Sequence, residues 1–85
     1  MNSLQKFNIS EALTLLDYYL LLIKKNNQNL IVSKNKSSII IFNDNLKLSL
    51  SKDEFIKNFA GESFIIFKQL DNEVEINMEY KKIRQ

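Results

Sequence analysis

The spacing of apolar and polar positions changes character along this chain, and each change marks an element. Leu13, Leu16, Leu20 and Ile23 recur at intervals of three and four, the spacing of one helical face. Asn8 with Glu11 three residues on has the form of a capping box, and Phe7 stands where a hydrophobic staple begins, so a helix is predicted from about Ile9. Lys24 and Lys25 suit a helix C-terminus electrostatically, and Asn26 or Asn27 can take the left-handed position that closes one. Leu15, Tyr18, Tyr19, Leu21 and Leu22 make such a helix apolar beyond a single stripe. The run from Tyr18 to Lys24 also reads as a strand joined through residues 26–29 to the next one, because periodicity cannot type a short apolar run. Helix is the preferred reading.

From Leu30 the pattern is that of strands. Leu30 to Ser33 and Ser37 to Phe42 are short, rich in Ile and Val, and separated by Lys34, Asn35 and Lys36, which is hairpin grammar. Asn43, Asp44 and Asn45 make the next turn, since Asx side chains bond their own backbone. Leu46, Leu48 and Leu50 then alternate with Lys47 and Ser49, placing the leucines on one face of a half-buried strand. Ser51 and Glu54 form a second capping box, opening a helix over Lys52 to Ala60 whose Phe55, Ile56 and Phe59 share a side, with Gly61 as the left-handed residue that ends it. Phe64 to Phe67, an unbroken apolar run, predicts a strand buried on both faces. After a turn at Asp71-Asn72, the segment Glu73 to Ile83 alternates, with Val74, Ile76, Met78 and Tyr80 inward and Glu73, Glu75, Asn77 and Glu79 outward. The elements predict one α+β domain over residues 1–85: an N-terminal helix, an antiparallel sheet of about five strands, and a short capped helix inserted before the last hairpin, both helices on one face.

Composition narrows the chemistry. With 85 residues, 45% of them hydrophobic and 26% charged, the chain is globular and has material for one core. It contains no Cys and no His, which removes disulfides, thiolate nucleophiles, imidazole bases and the usual zinc ligand sets. Its single Gly leaves neither a phosphate-binding P-loop nor a dinucleotide fingerprint, so no cofactor is expected. The carboxylates Glu73, Glu75 and Glu79 read as a solvated face rather than an acid/base pair, Asp53 and Glu54 as charges that suit a helix N-terminus, and Asp44 as a turn residue rather than a metal ligand. No catalytic and no metal site is predicted. The longest apolar run, Tyr18 to Ile23, is far short of the roughly 20 residues that cross a bilayer, and no signal peptide precedes it, which predicts a soluble, cytoplasmic protein without a membrane partner.

The net charge of +2 is too balanced to impose an anionic partner. Lys24, Lys25, Lys34 and Lys36 nevertheless fall in a stretch without acids, interleaved with Asn26, Asn27, Gln28, Asn29 and Asn35, and form the chain's one cue for weak nucleic-acid binding. Phe42, Phe64 and Phe67 read as core rather than as a base-stacking platform.

Residues 30–69 resemble the C-terminal part of the cysteine peptidase domain attached to bacteriocin-processing ABC transporters. The resemblance is carried by Ser37 to Phe42, Asp44, Leu46 to Leu50, the Ser51-Lys52-Asp53-Glu54-Phe55 helix start, Phe59-Ala60-Gly61 and Phe64 to Phe67. It implies a strand where the end of the first helix is read. Because that family's nucleophilic Cys and base His are absent, and Asp44 lacks the proline that usually follows it, the resemblance implies a catalytically dead fragment that binds peptides.

The function these observations predict is that of a small non-catalytic module that binds another protein or a second copy of itself and acts by occupying a surface. Small inhibitors carried by phages and mobile elements, anti-CRISPR proteins among them, share this profile by analogy of size and composition. The predicted interface is the surplus apolar surface of the first helix, Leu15, Tyr18, Tyr19 and Leu22, together with the edge of the last hairpin, where Glu75 and Glu79 lie.

Overall fold

The structure is a computed structural model and describes residues 4–70. In chain order it contains α1 (Ile9–Leu15), β1 (Tyr19–Lys25), β2 (Gln28–Asn35), β3 (Ser38–Phe42), β4 (Lys47–Ser51), α2 (Lys52–Phe59) and β5 (Ile65–Gln69). The strands form one five-stranded antiparallel sheet in the order β4-β3-β2-β1-β5. Ala12 and Leu16 from α1 and its C-cap, with Phe55 and Phe59 from α2, pack on Leu21, Ile23, Val32, Ile39 and Ile41 in one cluster, so both helices cover the same face. The α+β class, the N-terminal helix and the capped helix before the last described strand are as the sequence predicts. The segment Glu73 to Ile83, with Glu75 and Glu79, lies outside the described residues.

Both capping boxes form. Asn8 Oδ1 accepts the Glu11 N–H at 2.9 Å, and Glu11 Oε1 accepts the Asn8 N–H at 2.9 Å. Ser51 Oγ accepts the Glu54 N–H at 3.1 Å, with the reciprocal bond from the Ser51 N–H to Glu54 Oε1 at 2.9 Å. Phe7, just before the first cap, exchanges two 2.8 Å backbone hydrogen bonds with Phe64.

The preferred reading of residues 18–25 is corrected. α1 spans only seven residues and closes with the tighter bonds Asp17 N–H to Thr14 C=O, 3.3 Å, and Tyr18 N–H to Leu15 C=O, 2.9 Å. The chain then turns into β1, a strand flanked on both sides by β2 and β5. Asn26 and Asn27 explain how both readings arose. One left-handed residue ends a helix, but two in succession, φ 54° and 63°, make the two-residue turn that brings Lys25 opposite Gln28. Burial decides the outcome. Leu20, Leu21 and Ile23 are all buried in β1, each stabilising by about 1.5–3 kcal/mol relative to exposure. A surface helix would have left part of that run in water.

The sheet's connectivity follows. β1 to β4 form a four-stranded meander, and α2 carries the chain across the helix-covered face to place β5 beside β1. The two unbroken apolar runs then have different fates. Ile39 to Phe42 on β3 are buried on both faces of the sheet. In the run from Phe64 to Phe67 only Phe64 is buried, which corrects the expectation of a doubly covered strand. β5 has β1 as its sheet neighbour and is an outer strand among the described residues, so the run lacks the enclosure that β3 receives. Leu46, Leu48 and Leu50 share a face as predicted, but on the outer strand β4 Leu48 stays exposed.

Gly61 also takes a different role. It has positive φ, 86°, yet Ala60 before it is extended in ψ at 137°, and the Glu62 N–H donates to the Phe59 C=O at 3.1 Å. This is a type II turn, which needs glycine at its third position, rather than a left-handed helix cap.

Candidate functional site

The predicted protein-binding residues do not form one surface. Leu15 and Tyr19 are half-buried against the helix-side cluster, and Leu22 is half-buried on the opposite face of β1. Tyr18 alone among the described four is open, at 62% exposure. The surplus apolar area assigned to the first helix is therefore mostly absorbed by the sheet.

Among the described residues Leu4, Tyr18, Leu48, Ile56, Ile66 and Phe67 are the exposed large apolar side chains, and the two that adjoin in sequence lie on β5. Ile66 is 39% and Phe67 48% exposed. Pairing places Ile66 opposite Leu21 and Lys68 opposite Leu20, so Phe67 is the extra residue of a β-bulge. A bulge disrupts the ladder locally and re-aims a side chain. Here it turns an aromatic ring outward at the sheet's edge. Tyr18, just before β1, meets the end of β5, its C=O accepting the Leu70 N–H at 2.8 Å one step beyond the Tyr19–Gln69 pair. The sequence signalled the residues but not their exposure, since a run of Phe and Ile reads as core.

The predicted lysine cue is divided. Lys24 and Lys25 precede β2, whereas Lys34 and Lys36 lie at its far end. The strand is eight residues long, so at about 3.3 Å per residue its ends lie roughly 23 Å apart. Lys25 is further committed, to Glu62 at 2.8 Å and over the Phe59 ring at 5.5 Å. Lys34 pairs with Asp17 at 2.7 Å, tying β2 to the turn after α1.

Two hollows open at these two ends. One of about 440 Å³ is lined by Lys6, Lys24, Leu22, Glu62 and Ile65, among others, at the β1–β2 end. The other, about 390 Å³, lies at the β2–β3 end and is lined by Leu13, Lys34, Lys36, Ser37, Ile39 and Lys52. Lys52 was outside the lysine stretch in sequence and reaches it through the packing of α2. Among the described residues no group of three or more His, Cys, Asp or Glu side chains is placed to hold a metal ion, and Asp44 is exposed in its Asx turn. Asn43 holds that turn, its Oδ1 accepting the Asn45 N–H at 2.8 Å and the Leu46 N–H at 3.0 Å. No helix among the described residues is long and apolar enough to cross a membrane.

No protein-family model, no curated protein and no solved structure matches this chain.

Proposed function

We propose that this protein is a non-catalytic binding module that occupies a surface of another protein through the bulged edge of its sheet. The observation that carries this reading is the outward Phe67 at the β5 bulge, next to the part-exposed Ile66 on the same strand. Large aromatic side chains that enter a partner's pocket are the commonest energetic anchors of interfaces. The bulge also interrupts the backbone ladder of the edge, which disfavours strand addition and leaves side-chain docking as the mode of contact. A chain without Cys or His, and with material for one core, suits action by occlusion in a reducing cytoplasm, in the manner of small inhibitors of phages and mobile elements. The resemblance of residues 30–69 to a peptidase domain that has lost its Cys and His supports the same class of activity, binding of a polypeptide without cleavage.

The test compares wild type with Ile66→Ser/Phe67→Ser. Affinity capture is run with and without nuclease, and sedimentation velocity at micromolar concentration reports self-association. A polypeptide partner retained by wild type after nuclease treatment and lost by the folded double variant supports the reading. Equal retention by both proteins, or retention that nuclease abolishes, refutes it. A dimer that the variant dissolves would identify the partner as a second copy.

A further inference from the structure

Four of the described residues hold positive φ: Asn26, Asn27, Lys36 and Gly61. Asn and Gly tolerate that region of backbone space, Asn through its short polar side chain and Gly by having no Cβ. Lys36, at φ 59° in the two-residue turn between β2 and β3, is the exception. A turn that would be relaxed with Asn or Gly carries a lysine at the cost of strain, and such strain is retained where the side chain has a task.

The surroundings indicate the task. Lys36 lines the hollow of about 390 Å³ together with Lys34, Lys52 and the hydroxyl-bearing Ser37. Each lysine is fixed at its root by a different element: Lys34 by its pairing with Ile39 in the sheet, Lys36 by the turn, and Lys52 by following the capped Ser51 at the start of α2. No carboxylate is among the lining residues, and Asp17 meets Lys34 from beside the hollow at 2.7 Å. Leu13 and Ile39 give the hollow an apolar wall. The first-turn N–H of Glu54 is taken by the Ser51 cap, so attraction here rests on the ammonium groups rather than on the helix end.

We propose that this hollow binds the phosphate groups of a nucleotide-sized small molecule, independently of the β5 edge. Lys36 and Lys52, beside the Asp17-paired Lys34, supply point charges and donors that suit a di- or triphosphate, and the volume falls within the range of about 300–1,000 Å³ typical of small-molecule sites. A polynucleotide is disfavoured because the remaining lysines of the stretch, Lys24 and Lys25, stand at the other end of β2 and extend no track for a backbone.

The proposal is tested with ATP, inorganic pyrophosphate and a short single-stranded oligonucleotide, in magnesium-free buffer at low salt, by calorimetry and by amide chemical shifts. Saturable one-site binding of ATP and pyrophosphate is expected, with shifts at Leu13, Ser37 and Lys52. Lys36→Asn with Lys52→Gln should weaken it at least about tenfold, while Lys24→Gln leaves it unchanged. Lys36→Asn keeps a residue that accepts the turn, so its melting temperature should not fall. Should the double variant be less stable, Lys52→Gln alone carries the comparison. Failure of ATP and pyrophosphate to saturate at millimolar concentration, an equal loss in Lys24→Gln, or binding of the oligonucleotide alone would each overturn the proposal.

Discussion

Gly61 shows how one position can be constrained without a single contact. A Cβ added there would meet nothing within 4 Å, so any cost of substitution comes from the backbone, which sits at φ 86° where L residues are strained. Gly61→Ala should lower stability by about 1 kcal/mol, read as a lower denaturation midpoint at unchanged slope. Neutral behaviour would mean that the Phe59–Glu62 turn changes type. The glycine's positive φ was legible from its place after a helical pattern. Its turn type was not, because that depends on Ala60 and on the Glu62 to Phe59 hydrogen bond.

β1 is where an element's identity and its surroundings separate. Leu21 is buried on the helix side of an interior strand, in the cluster shared with α1 and α2. Leu21→Ala should therefore cost about 2–5 kcal/mol, a large share of the roughly 5–15 kcal/mol that holds a domain together. Leu48→Ala, on the outer strand and 48% exposed, should change stability by about 0.5 kcal/mol or less. Urea or thermal denaturation of the two variants separates these outcomes, and similar costs at both sites would contradict the placement of β1 between β2 and β5. The two capped helices were readable because a capping box is a local device, completed within four residues of chain. The strand was not, because an apolar run of this length buries equally well as either element until its neighbours are known.

For the assembled molecule, the described residues bury one helix-side cluster and hold no group of three or more potential metal ligands. Treatment with EDTA should leave the melting temperature unchanged. A fall of several degrees would reveal a metal-stabilised state, since a ligand that binds only the native form raises its apparent stability. The candidate sites belong to this level as well. Phe67 is a surface residue because β5 is bulged and is an outer strand among the described residues, and Lys52 meets Lys34 and Lys36 because α2 starts at the end of β4, whose Ser51 pairs with Ser38 beside the β2–β3 turn.

Chain-local physics was enough to establish the α+β class, the starts of both helices, the Asx turn at Asn43 and the excluded chemistry of a protein without Cys or His. Each of these follows from interactions among a few consecutive residues or from residue types alone. Assembly settled the type of residues 19–25, the unequal burial of the runs at β3 and β5, and the division of the lysines between opposite ends of the sheet. These depend on which strand lies next to which. An apolar side chain gains its burial energy from whatever covers it, and a charge gains its partners from whatever faces it, and both are contacts between segments distant in sequence.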